Sequence, residues 1–581
     1  MTIEERQRRK RPPRRNLLYA ALLSMFLFTV TIILLLYPFP SKEQVPVFEA
    51  EHPILFDKGR YEQEAVLENG DVYVPFTFLQ KHIDESITYD PISSSVIATT
   101  ANKVLQYPNE ALEYYLNEKP FPLQAPVVKA KDNEVYVAVK PFEALYGFKT
   151  LYKEETGAVI IQQNRETVLP AKVKSEQSKH NRRIRSQPTK TSAYKVELKS
   201  GASLTVQSEK ENFYYVRTET GAQGYLPKQA VIILEPTEYT FENETEQAPL
   251  PKLEWPINMT WEAVYSKNPD PNKIEPMPGV NVISPTWFSL SDESGTVSNI
   301  ASSAYAKWAK QNNYHLWALF SNDFNPELTH EVLSSFEKRQ RVIRQLLEYS
   351  RTYQLDGMNV DFENVNLEDG PLVTQFMREL SARMHQSGLV VSMDVTFISG
   401  AANWSKFYER EKLANIVDYI VVMAYDEHWG TSPVSGSVAS LPWVENNLKR
   451  LLEVVPHERV ILGVPLYTRL WKEQTTENGN IEVSSEAYSM DGIQQWLKKN
   501  QITPSPDQKS GQNYAEYVNQ KENVTYKVWM EDPYSLKQRG QLVLDYELAG
   551  VASWSRYFAN QSAWEALQSS LKQKQPIKAN Q

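Results

Sequence analysis

Between Asp356 and Glu363 the chain reads Asp-Gly-Met-Asn-Val-Asp-Phe-Glu. In a β-strand, residues two apart face the same side. Asn359, Asp361 and Glu363 would therefore project together, while Val360 and Phe362 face the other way. Three polar side chains side by side in a core are costly unless they are hydrogen-bonded. Repulsion between Asp361 and Glu363, with partial burial, should raise the pKa of one of them and keep a proton available near neutral pH. That is what a general acid requires. Other chemistries find less material. The chain has no cysteine, which excludes thiol nucleophiles, disulfides and cysteine-ligated zinc. Its eight histidines show no ligand spacing, so neither a metal nor a cofactor is expected.

The elements that must position these residues alternate between β-like and helical patterns from about residue 252 to 575. Expected strands are Ile257–Trp261, Val280–Phe288, His315–Phe320, Gly357–Glu363, Val390–Thr396, Ile420–Tyr425, Val460–Tyr467 and Val551–Trp554. Expected helices include Ile300–Gln311, Glu331–Ser350, Pro371–Gln386 and Leu441–Val455. Eight strands with helical crossovers predict a (β/α)8 TIM barrel, with a small α+β insertion between Trp471 and Met530. Glu363 would then sit at the carboxyl end of the fourth strand, where barrel enzymes place their chemistry.

Asp356–Glu363 resembles the Asp-Gly-x-Asp-x-Asp-x-Glu signature of family 18 glycoside hydrolases, with Asn359 in place of the middle Asp. The resemblance extends to Val282-Ile-Ser-Pro-Thr-Trp-Phe288, Met423-Ala-Tyr-Asp426, Gly463–Trp471 and Gly550-Val-Ala-Ser-Trp554. Within that family the chain is most similar to the spore-cortex-lytic and germination-associated N-acetylglucosaminidases, which share the Asn variant and Tyr425-Asp-Glu-His-Trp429. The resemblance implies retaining, substrate-assisted catalysis, in which the substrate's own 2-acetamido oxygen is the nucleophile. It implies that Glu363 protonates the leaving oxygen and then activates water, and that Asp361 orients the acetamido group. Tyr425 and Asp426 would hold the acetamido carbonyl. Trp554 would floor the sugar subsite, and Tyr467 and Arg469 would line it. An amide at 359 cannot take a proton from Asp361 but can donate a hydrogen bond to it. Asp361 is therefore expected to stay anionic, with a simpler pH profile.

The amino-terminal half suggests an envelope setting. Residues 1–16 carry seven Lys/Arg against two Glu, in a chain of net charge −9. An acidic body with a basic tip does not fit nucleic-acid binding. The charge-free run 17–37 has the length of a transmembrane helix, and the cations ahead of it predict a signal anchor with the catalytic domain extracellular, in a Gram-positive type of cell. Residues 46–170 contain a repeat offset by 63 positions: Asn69-Gly-Asp-Val-Tyr-Val-Pro75 returns as Asp132-Asn-Glu-Val-Tyr-Val-Ala138. This resembles the amino-terminal module of copper amine oxidases, without a copper-ligand histidine cluster. Residues 172–190 are a basic linker, and the β-rich segment 180–235, ending Gly221-Ala-Gln-Gly-Tyr225, resembles bacterial SH3-like domains. The expected function is cleavage of β-1,4 bonds after N-acetylglucosamine in peptidoglycan. The alternatives are a chitinase acting on chitin oligosaccharides and a catalytically silent, lectin-like wall binder.

Overall fold

The computed structural model describes residues 14–36, 39–131, 134–241, 256–476 and 478–572. The chain divides into two compact units, Met1–Glu85 with Val127–Glu244, and Ser86–Pro126 with Thr245–Gln581.

In the second unit, eight parallel strands close into a barrel. They are β1 (Ile257–Glu262), β2 (Val282–Leu290), β3 (His315–Ser321), β4 (Gly357–Asp361), β5 (Val390–Thr396), β6 (Tyr419–Met423), β7 (Val460–Pro465) and β8 (Gly550–Trp554). Each pairs in parallel with the next, and β8 returns to β1. The barrel expected from the alternating pattern is present. Its interior is filled by Met259, Trp261, Trp317, Leu319, Val421, Ile461 and Ala552. A larger apolar layer lies between the strands and the surrounding helices. Gly357 is required where it stands: a Cβ there would fall 2.7 Å from the Trp317 ring and 2.8 Å from the Val390 carbonyl oxygen. Asp356, which opens the acidic segment, is structural. It accepts from the Leu316 amide at 2.7 Å and pairs with Lys310 at 2.5 Å, tying the starts of β3 and β4 together.

Two expected elements differ. Glu331–Ser350 is two helices, Pro326–Leu333 and Phe336–Tyr353, because Ser335 caps the second, its hydroxyl accepting from the Lys338 amide. Strand β4 ends at Asp361, so Glu363 lies in the turn beyond it, followed by Asn364 at φ +51°. The insertion after β7 is a five-stranded antiparallel sheet with one helix, Met490–Lys499.

Also within this unit, residues 88–122 form a five-stranded antiparallel sheet, order Thr88–Asp90, Ser95–Thr99, Val104–Pro108, Glu113–Leu116 and Lys119–Pro122. It packs on the barrel helices. Ile97 and Val104 bury against Phe336 and Ala382, and Asp90 accepts from the Phe336 amide at 3.3 Å, at the amino end of a helix. Glu118 pairs with Arg344 and, at 3.1 Å, with Arg383.

In the first unit, the segment 172–190 read as a basic linker holds the end of strand Thr167–Val173 and all of Arg183–Arg185, both part of an antiparallel sheet that runs on to Val231–Ile233. Of the segment's cations, Lys179 and Arg182 lie in a short 3-10 turn and Arg185 is fully buried within the sheet. The region of the expected membrane span is a helix, Arg14–Leu36. Among the described residues no helix is long and apolar enough to cross a membrane. The expected anchor and membrane contact therefore find no support in the structure. Tyr37, the end of that run, and residues 1–13 of the basic segment lie outside the described residues.

Candidate active site

The alternation along β4 sets Asn359 and Asp361 inward, and Glu363 follows two residues on. Asn359 is fully buried and all its hydrogen-bonding capacity is used. Its Oδ1 accepts from Trp261 Nε1 at 2.9 Å and from the Ser284 hydroxyl at 3.1 Å. Its Nδ2 donates to Ser392 Oγ at 3.0 Å and to Asp394 Oδ1 at 2.7 Å. The expected hydrogen bond from Asn359 to Asp361 is thus replaced by one to Asp394 on β5. Asp361 is buried, and its Oδ1 has no hydrogen-bond partner.

That environment corrects a second expectation. Burial alone drives the Asp361 carboxyl well above the usual carboxylate range. Nothing bonded to that oxygen favours the anion, so a permanently charged Asp361 is not what the site provides. Glu363 is pushed up to about 9, first by burial and then by Asp361 and Asp426. Asp394 is raised as well, by burial and by Asp361. Glu363, at the open end of the barrel, is therefore held toward its protonated form.

The backbone of Glu363 is clamped. Asn322, fully buried after β3, accepts from the Glu363 amide at 3.0 Å and donates to its carbonyl oxygen at 2.8 Å. Tyr408 donates to the Phe362 carbonyl oxygen at 2.7 Å. Arg410 holds that side by donating to the carbonyl oxygens of Ser405 at 2.9 Å and Thr396 at 2.7 Å.

The other predicted residues converge here. Tyr425, half-buried after β6, has its hydroxyl pKa raised by burial, then by Asp394, Tyr467, Asp361 and Glu363. Asp426 adopts φ +60° and accepts from the Tyr467 hydroxyl at 2.5 Å. Arg469 lies 3.8 Å from the same carboxylate oxygen and 5.4 Å above the Tyr467 ring. Trp554, at the end of β8, meets Trp261 edge-on at 5.7 Å. Trp261 in turn bonds Asn359, so Trp554 is connected to the polar row through Trp261. Among the described residues, no group of three or more His, Cys, Asp or Glu is placed to hold a metal ion.

Sequence reasoning missed Trp261, Ser284, Asn322, Asp394 and Tyr408. Asp394 did carry a signal: Ser392 and Asp394 alternate within the apolar run Val390–Thr396, as Asn359 and Asp361 do in theirs. Asn322 had none, because it bonds backbone atoms across two loops.

A carboxyl held toward its protonated form beside a second carboxyl, a tyrosine and a tryptophan at the mouth of a (β/α)8 barrel is suited to acid-assisted cleavage of a sugar acetal. Comparison with known proteins agrees. The sequence profile of Glycosyl hydrolases family 18 matches residues 262–559, more than half of the chain, and the chain belongs to that family of glycoside hydrolases. The profile of the Copper amine oxidase N-terminal domain matches residues 57–161. The Bacillus subtilis (strain 168) protein named Uncharacterized glycosylase YvbX is 27% identical over 304 residues, 50% of this chain and 85% of that protein. The Cortical fragment-lytic enzyme of the same organism is 24% identical over 234 residues, 40% of this chain and 53% of that protein. The crystal structure of the Bacillus megaterium QM B1551 spore cortex-lytic enzyme SleL is 16% identical, covering 59% of this chain and 79% of that one, with a TM-score of 0.49.

Proposed function

We propose that this hydrolase cleaves β-1,4 bonds after N-acetylglucosamine in peptidoglycan, with retention and with the substrate's acetamido oxygen as nucleophile. The observation that carries this reading is the placement of Glu363 two residues beyond the buried Asp361 at the open end of the barrel, where burial and neighbouring carboxylates push its pKa up to about 9. In such a mechanism Glu363 gives its proton to the leaving oxygen and then takes one from water. Asp361 orients the acetamido group and balances the positive charge that develops on it. Tyr425 and Asp426 hold the acetamido carbonyl. Trp554 packs under the ring, and Tyr467 and Arg469, already bonded or stacked at Asp426, shape the same pocket. Exposed aromatic side chains after several barrel strands, Phe324, Trp404, Trp429 and Tyr557 among them, suit a polymeric glycan.

Peptidoglycan is supported by the relative named Cortical fragment-lytic enzyme and by the β-rich segment 180–235, read as an SH3-like wall-binding module. Relatives named as chitinases, such as Probable chitinase 2 of Drosophila melanogaster at 24% identity over 169 residues, support chitin as the second reading. Incubating the protein with purified peptidoglycan and with chitin oligosaccharides, and analysing released ends by mass spectrometry, separates the two. New reducing-end N-acetylglucosamine from peptidoglycan is the expected result. Cleavage of chitin oligosaccharides alone would replace that substrate, and binding without cleavage would favour the lectin-like alternative. An extracellular, membrane-tethered setting rests on the sequence of residues 1–37 alone. Its check is fractionation of the full chain against residues 41–581, and recovery of both in the soluble fraction would refute it.

A further inference from the structure

We propose that Asp394 takes over, from the neighbouring strand, the part a carboxylate at position 359 would play: with Asp361 it forms a pair that holds one proton between its two members. The inference rests on the substrate-assisted reading above and names the proton store which that reading otherwise lacks.

Four observations lead there. Asn359 accepts two hydrogen bonds and donates two, one of them to Asp394 at 2.7 Å, so its amide has no N–H left for Asp361. The pairing of β4 with β5 sets Asn359 opposite Ser392 and Val360 opposite Met393. Continued one step, that register sets Asp361 toward Asp394 on the inward side, and the Asp361 charge acts on Asp394. Asp361 Oδ1 is buried without a partner, which leaves it able to carry a proton or to take part in sharing one. Finally, Asp394 is 1% exposed and makes no ion pair, so two adjacent anions there would repel in a dry interior with no cation to offset them.

The titratable groups whose charges act on Asp394 or feel it are Asp361, Glu363, Tyr408 and Tyr425. None is cationic. Arg410, against Tyr408, spends its bonds on backbone carbonyl oxygens and the Ser405 hydroxyl. With one proton shared, the pair carries a single negative charge. When the acetamido group becomes positive, the proton leaves the Asp361 oxygen and binds the Asp394 oxygen. The electron pair stays on Asp361, no other bond changes, and the charge lies next to the substrate. Glu363 keeps its own proton for the leaving group. Asp394 is thus a positioning residue that acts through Asp361.

The test uses full-length wild type, Asp394→Asn, Asn359→Asp and the exchanged double variant, assayed on a chromogenic N-acetylglucosamine oligosaccharide across pH. Asp394→Asn should lower kcat roughly 10²-fold, the low end for a general acid–base contribution, with KM little changed and the pH profile altered. The double variant restores a carboxylate–amide pair with the partners swapped. It should recover at least about tenfold over Asp394→Asn and return the profile toward wild type. Wild-type kcat and pH profile in Asp394→Asn would overturn the proposal. So would a double variant that melts like wild type but is no more active than Asp394→Asn. Infrared spectra supply a readout independent of substrate. In Glu363→Gln at neutral pH a protonated-carboxyl band should remain, and adding Asp394→Asn should remove or shift it. A missing or unaltered band overturns the pair, even if the substrate assignment itself fails.

Discussion

At the scale of the residue, the site trades stability for a proton. Burial and two neighbouring carboxylates raise Glu363 to about 9, so the folded protein holds a proton that the unfolded chain releases above about pH 4.3. The folded state is therefore favoured fully below that pH and loses stability as pH rises toward 9. Glutamine has nearly the same shape and does not titrate. Glu363→Gln should melt with wild type near pH 4 and above it at pH 8, by about 2–4 °C for each kcal/mol regained. Calorimetry at the two pH values reads this, and equal differences at both would remove the claim that Glu363 is held protonated. The grouping of Asp361 and Glu363 was legible, because the alternation in Asp356–Glu363 directs its polar groups to one face. The bonding of Asn359 was not. An amide with two donors and two acceptors takes the partners its neighbouring strands present, and here those are Trp261, Ser284, Ser392 and Asp394.

At the scale of the element, β4 works because its start is pinned and its interior neighbour is large. Trp317 fills the barrel against Gly357, and Asp356 bonds both Lys310 and the Leu316 amide. Gly357→Ala pushes a methyl group into the indole and the Val390 carbonyl, and overpacking of this kind costs about 1–3 kcal/mol. A lower Tm together with reduced kcat is expected from that one methyl, since β4 carries Asp361 and leads to Glu363. An unchanged melt would show that the barrel yields there. The strands were legible because each is a short apolar run between polar turns. The break inside the expected helix Glu331–Ser350 was hidden by continuous helical patterning across Ser334-Ser335. The basic stretch 172–190 misled because a strand that buries an arginine, as Arg183–Arg185 buries Arg185, has the same composition as a solvated linker.

At the scale of the whole molecule, residues 88–122, which begin with the closing hairpin of the first repeat copy, pack on the hydrolase barrel and cover Phe336 and Ala382. This brace lies on the helices that flank β4. The hairpin turn Asn117-Glu118, with φ of 47° and 67°, presents Glu118 to Arg344 and Arg383. Glu118→Gln keeps the turn but removes the charge, leaving the largely buried Arg383 without its anion. It should lower the melting temperature of the barrel and speed proteolysis within 88–122, and resistance equal to wild type would refute the bracing role. The domain repeat was legible as sequence, but its central sheet's attachment to the barrel was not, since the contacts join residues more than 200 positions apart. The central claim remains that one carboxyl acid drives glycoside cleavage. Its most direct measurement is hydrolysis of an N-acetylglucosamine oligosaccharide or purified peptidoglycan by full-length wild type and Glu363→Gln, with the fold of each checked by circular dichroism. The structure predicts cleavage by wild type and a loss of about 10³-fold or more in the folded variant; cleavage by Glu363→Gln at the wild-type rate would contradict it.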